Sequence, residues 1–166
     1  MAVLEILTYP DSRLEEIAKP AEHFDDDLRA FISDMEETRL AGPGAVGIAA
    51  PQVGKGLRVV IVDISGKPNY PSNGRMVLIN PDITQWEGFA VGREGCLSVP
   101  DFTGNVIRAE RITLEAYNGH GEKRHYHCEG FEARAVQHEI DHLDGLLFLD
   151  RLVSRRNDLF RRKVYK

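Results

Sequence analysis

A chain of 166 residues with 42% apolar and 28% charged side chains can bury roughly two thirds of its unfolded surface and contains no low-complexity run, which excludes a fibrous or disordered protein. No apolar run approaches the length of a membrane helix, and two cysteines are too few for a disulfide framework. The net charge of −5 is unevenly divided: residues 151–166 carry seven basic and one acidic side chain, against a surplus of eleven acids in the first 150, so a basic tail follows an acidic body.

The start, Met1 to Leu7, lacks the basic residues and cleavage site of an export signal, and with two reduced thiols the reading is cytoplasmic. Thr8-Tyr-Pro-Asp11 makes a turn, and Asp11 caps a short helix to about Lys19, ended by Pro20. A second helix begins after Asp25-Asp26-Asp27, buries Leu28, Phe31, Ile32 and Met35, and ends near Leu40. From Gly44 to Gly54 small residues dominate and Gln52 is the one polar side chain, which suits either a substrate-facing wall or a tightly packed core strand. No Gly-Lys-Ser/Thr follows, so this is not a phosphate loop. Strands are expected over Leu57–Ile64, over Met76–Ile79 with a stop at Asn80-Pro81, and over Thr84–Val91. Arg111–Tyr117 alternates at period two, and Asn118-Gly119 turns it back along Lys123–Cys128 as a hairpin.

A helix from about Glu129 to Asp144 carries His138-Glu139-x-x-His142, and Gly145 stops it. Val136, Ile140, Leu143 and Leu147 form its core stripe, while Phe131, Ala135, His138 and His142 fall on another. Histidines four apart share one helix face and can grip one metal ion, with Glu139 beside them as general base. The plainer alternative is two buried histidines with hydrogen-bond partners. A hydrolytic site needs a third ligand and an open position for water. Downstream, the position used by one protease pattern is Phe148, no Glu follows Glu139, and Asp144, Asp150 and Asp158 are poorly placed. Upstream, Cys96 in Arg93-Glu-Gly-Cys-Leu-Ser-Val-Pro100 is either buried filler or the soft third ligand. Cys128 is tied closely to the helix start, and His120, His125 and His127 read as structural or solvent-facing. A last helix is expected over Ser154–Lys163, bearing the basic residues of the tail, which either meets nucleic acid or lies solvated against the acidic body.

Gly47-Ile-Ala-Ala-Pro-Gln52, Glu94-Gly-Cys-Leu-Ser98 and Gln137-His-Glu-Ile-Asp-His142 occur in this order, and together they resemble the three motifs of the peptide deformylase family; Leu7-Thr-Tyr-Pro-Asp11 is similar to its opening. The resemblance implies an α+β fold, with mixed and antiparallel sheets around a central metal-binding helix. It implies hydrolysis of the N-formyl group from formyl-methionine at the start of nascent peptides, with release of formate. It makes Cys96, His138 and His142 the metal ligands and Glu139 the catalytic acid/base, with Fe(II) the usual metal and Zn, Ni or Co as substitutes. Two positions depart from the family: Ala45 stands where the first motif begins with Gly, and Thr103 stands near where many relatives carry a substrate-holding Arg.

On this reading metal-held water attacks the formyl carbon, and the Gln52 amide and Leu97 backbone N–H receive the oxyanion. Val46, Gly47 and Leu97 exclude longer acyl groups; Leu97, Ala135 and Ile48 line the methionine pocket; the small-residue strand takes the peptide by backbone hydrogen bonds. The expected organisation is one catalytic domain over 1–166, with 151–166 a basic helix or tail that contacts the ribosome, and no membrane partner. The rivals are a general metallopeptidase and a purely structural Cys-His-His site.

Overall fold

The computed structural model describes residues 2–154 and 156–162. Its first helix, α1 (Asp26–Ala41), starts where the Asp25 side chain accepts a hydrogen bond from the Leu28 N–H at 2.9 Å, with Asp26 and Asp27 in the positive first turn. Five strands form one sheet in the order β1 (Gly47–Ala49), β2 (Val59–Val62), β3 (Met76–Glu87), β6 (Arg111–Tyr117), β7 (Lys123–Glu129). A second sheet is ordered β4 (Ala90–Cys96), β5 (Val99–Arg108), β8 (Leu159–Arg161). All these strand pairs are antiparallel; the parallel pairing among the described residues is the isolated bridge of Lys19 with Leu57.

The larger sheet is apolar on both faces at its β1–β2 end, which is why β2 reads as an unbroken run of Val and Ile. Val59 and Ile61 join Leu28, Ile32 and Met35 of α1 in one cluster. Val60 and Val62 join Ala133, Val136 and Leu143 of the second helix, α2 (Gly130–Leu143), in another. The sheet is therefore packed between the two helices, as an α+β architecture around α2. Gly145 ends α2 in the left-handed region at φ +76°, with Gly145 N–H donating to the His142 carbonyl and Leu146 N–H to that of Asp141. A Cβ there would also press on the backbone of Glu15, 2.7 Å from its carbonyl carbon. Gly145→Ala should accordingly cost about 2–4 kcal/mol, read as a lowered urea midpoint.

Three segments depart from the sequence expectations. The helix expected over Asp11–Lys19 is a single 3-10 turn, Ser12–Glu15. The strand expected over Met76–Ile79 runs on past Asn80-Pro81 to Glu87 as β3, and the one expected over Thr84–Val91 is divided at Gly88-Phe89 between β3 and β4. A register shift between Ile79 and Asp82 accommodates the proline, and Asn80 sits at φ +51° with its side chain bonded to both the N–H and the carbonyl of Ala21. Where a helix is expected over Ser154–Lys163, residues 156–158 are turn and bend and Leu159–Arg161 form β8. Leu159, Phe160 and Arg161 pair with Gly104, Thr103 and Phe102, Leu159 enters the cluster with Phe148, and the Arg93 guanidinium covers the Phe160 ring at 3.7 Å. The free edge of β5 and these contacts outweigh the helical preference of a basic segment. Arg155, Lys163 and Lys166 of the expected tail lie outside the described residues.

Candidate metal centre

Alternation along β4 turns Glu94 and Cys96 to the same buried face, and the helical repeat of α2 sets His138 and His142 one turn apart. The second sheet meets α2 so that one ligand atom each from Cys96, His138 and His142 lies within 4.8 Å of the others. Cys96 Sγ is 3.4 Å from His142 Nε2. Phe148, the position of a third ligand in one protease pattern, stacks on the His138 ring at 6.4 Å between centroids.

His138 is oriented from behind. Its Nδ1 lies 2.8 Å from Glu94 Oε1, which leaves Nε2 for the site. Glu94 is gripped by Arg108 through two 2.9 Å hydrogen bonds and by Arg134 Nη1 at 2.8 Å, and Arg108 reaches Asp141, which Arg151 also holds. Burial opposes the charge on Glu94, but His138 and Arg108 overcome it and hold the carboxyl well below its usual range. Burial likewise opposes charge on His138, and its hydrogen bonds to Cys96 and Glu94 prevail, so the ring is raised well above its usual value. His142 is pushed well below its usual value by burial and then by the charge on His138.

Glu139 faces the same point. Its Oε1 lies 3.8 Å from His142 Nε2 and has no hydrogen-bond partner among the described residues. Burial pushes its carboxyl up to about 7, against the pull of His138. A soft sulfur, two imidazoles and an unpartnered buried carboxylate oxygen converging on one point fit a divalent cation. A cation there would draw the Glu139 value down.

Gln52 completes the wall. Its Oε1 accepts from Ala49 N–H at 2.9 Å, and its amide nitrogen points to Ser98 Oγ at 3.1 Å and Cys96 Sγ at 3.4 Å. The opening segment braces both motifs: Leu7 N–H donates to the Gln52 carbonyl and Tyr9 N–H to that of Ser98, each at 2.7 Å. A cavity of about 260 Å³ opens over Cys96, His138 and Glu139, with Val46, Gly47, Gln52, Leu97 and Ala135 in its lining. Gly47 explains the small-residue run: a Cβ there would lie 2.9 Å from Glu139 Cγ. Gly47→Ala should displace Glu139 and reduce kcat by about 10- to 100-fold with little change in metal content, checked by steady-state kinetics and metal analysis.

The structure thus brings together Cys96, His138, His142, Glu139, Gln52, Val46, Gly47, Leu97 and Ala135. Ile48 is the exception. Strand alternation turns it away from the cavity, and it is fully buried in the α1 cluster. Cys128 is buried away from the centre and burial pushes its thiol up to about 12, while His120, His125 and His127 are exposed. Asp144 pairs with Arg58, Asp150 accepts from the Leu147 N–H, and Asp158 accepts from Asn105. The Glu94–Arg108–Asp141 array carries no motif of its own in the sequence. Glu94 is two residues before Cys96, which on a strand implies a shared face; nothing local marks Arg108.

The polypeptide deformylase family model matches residues 3–158. The chain is 47% identical over 166 residues to a peptide deformylase of Alkalilimnicola ehrlichii, covering 100% of this chain and 91% of that one. It is 42% identical to one from Acidobacterium capsulatum, covering 100% and 96%. The fold superposes on a Legionella pneumophila peptide deformylase with a TM-score of 0.86, at 41% identity over 93% of this chain and 90% of that one. It also superposes on an actinonin-bound class I type b peptide deformylase of Acinetobacter baumannii, with a TM-score of 0.83 at 36% identity over 92% and 99%.

Proposed function

The chain belongs to the peptide deformylase family, a premise from which we infer that Cys96, His138 and His142 hold its divalent metal ion and that Glu139 is its general acid/base. It is a metal-dependent hydrolase that removes the N-formyl group from nascent peptides. The observation that supports the assignment of residues is the convergence of the thiol, two imidazoles and the unpartnered Glu139 Oε1 under one cavity.

A divalent cation on these ligands supplies Lewis acidity and makes water available as hydroxide near neutral pH. Glu139 accepts the proton of the attacking water as the new C–O bond forms at the formyl carbon. The amide of Gln52 and the backbone N–H of Leu97 donate to the developing oxyanion. Glu139 then returns the proton to the departing amine as the C–N bond breaks, giving formate and a free N-terminus. Val46, Gly47 and Leu97 fit a one-carbon acyl group and crowd a longer one. Leu97 and Ala135 flank the methionine side chain, and the short strand β1 offers its backbone to the peptide.

Iron(II) is the proposed metal in the cell, with Zn, Ni or Co able to replace it on a sulfur–nitrogen ligand set. The proposed location is the cytoplasm; among the described residues no helix is long and apolar enough to cross a membrane. The basic residues after Arg151 are proposed to touch the ribosome. That contact should weaken steeply as salt rises in co-sedimentation, and salt-insensitive binding would refute it. Anaerobically purified protein should contain about one metal ion per chain and release formate from formyl-Met-Ala-Ser while leaving unblocked Met-Ala-Ser intact. Cleavage of the unblocked peptide would favour a general peptidase.

A further inference from the structure

We propose that the mouth of the cavity selects formylated peptides bearing an acidic side chain among the first residues after the methionine. The proposal rests on the deformylase reading and adds a preference to it. Among the described residues four cations line the cavity; Arg134 is half-buried and paired with Glu94, and the other three, Lys67, Arg93 and Arg162, are exposed. None of them forms an ion pair among the described residues. The acids of the lining, Glu94 and Glu139, are 7% and 5% exposed, and Glu94 is already shared by Arg108, Arg134 and His138. A chain of net charge −5 therefore presents, among its described residues, a positive rim with no ion-paired acid at the entrance to its site.

Two of the three cations are held in place by neutral groups. Arg93 lies over the Phe160 ring, with Nε donating to Asn105 Oδ1 at 3.2 Å and Nη1 to Thr103 Oγ1 at 3.3 Å. Arg162 is brought to the rim by β8, its backbone N–H donating to the Asp101 carbonyl at 2.8 Å. Its Nη2 lies 3.4 Å from the Cys96 carbonyl and 3.3 Å from that of Val99, and a Cβ on Gly95 would come within 2.8 Å of that nitrogen. These contacts fix each guanidinium without cancelling its charge, leaving N–H groups for a carboxylate, whose planar geometry a guanidinium matches. A growing chain has no free terminal carboxylate, so the group that meets the rim is a side chain. The neighbouring positive field also speeds encounter with such peptides.

The test uses the intact metal-loaded enzyme and C-terminally amidated formyl-Met-Ala-X-Ala with X as Glu, Gln or Lys. The expected order of kcat/KM is Glu, then Gln, then Lys, with Glu about fivefold above Lys at low salt. The difference should lie in KM and shrink toward one at high salt. The double variant Arg93→Gln with Arg162→Gln should bring the Glu-to-Lys ratio near one, and Arg93→Lys with Arg162→Lys should restore part of it. Equal kcat/KM across the wild-type series, or a ratio unmoved by the double Gln variant, overturns the proposal. So does a preference seen with free-acid peptides and absent from the amides, which would belong to the terminal carboxylate. Formate release with no preference defeats this proposal alone; no formate from any of the three peptides defeats the deformylase reading beneath it.

Discussion

Replacing Glu139 with Gln should lower kcat by about 10²- to 10⁴-fold, the range lost when a positioned proton carrier is removed. The amide keeps the size of the carboxyl but can neither accept the proton of water nor return it to the amine. Metal content should stay near that of the wild type, because Cys96, His138 and His142 are untouched. Stability supplies a second readout. Burial raises the Glu139 carboxyl to about 7 in the metal-free protein, so folding opposes its ionisation. That penalty is absent below the unfolded carboxyl's value near about 4.3 and is complete above pH 7. Metal-free Glu139→Gln should therefore melt higher than metal-free wild type at pH 8, and the gap should close toward pH 4. An active Glu139→Gln enzyme would remove the general-base assignment.

Glu94→Ala should damage both the fold and the centre. The substitution strips Arg108, buried at 5% exposure, of its two-point partner and takes one acceptor from Arg134. Leaving a buried guanidinium partly unpaired costs about 3–5 kcal/mol. The same change frees His138 Nδ1, and loss of such an outer partner weakens metal binding by about 10- to 100-fold. Chemical denaturation and competition with a chelator measure the two effects separately. Glu94→Gln, which keeps the shape and loses the charge, should fall between wild type and Ala in both. The folded carboxyl of Glu94 is held below its usual range, so its contribution is present above about pH 4.3 and fades as pH falls through the depressed value. Acid unfolding of the Ala variant should lose that component.

The legible parts of this chain were those written in short-range pattern. The α2 helix showed itself through apolar residues at helical spacing and Gly145, and the β6–β7 hairpin through alternation around Asn118-Gly119. The proposed ligands Cys96, His138 and His142 were legible because their chemical types are uncommon and their motifs stay in order. What hid were arrangements made by tertiary contact. Asn80-Pro81 looked like a stop until a register shift and the Ala21 backbone took up their irregularity. The segment ending in Arg162 carried the composition of a surface helix, and only the open edge of β5 decided for a strand. Glu94, Arg108 and Asp141 come from two strands and a helix, so no window of sequence contains their relation. Composition alone groups Ile48 with its small neighbours, whereas the pleat sends alternate residues to opposite faces and Ile48 packs in the α1 cluster.

The sulfur of Cys96 and the ring of His142 stand 46 positions apart along the backbone, on a hairpin of one sheet and on the helix that supports the other. An ion gripped by both would serve as a removable cross-link, closing a loop whose tethering is worth about 4 kcal/mol in a chain-entropy picture. Such a clasp cannot engage before both parts have been synthesised and docked, so the protein that trims newborn chains would complete its own maturation only once most of its length exists.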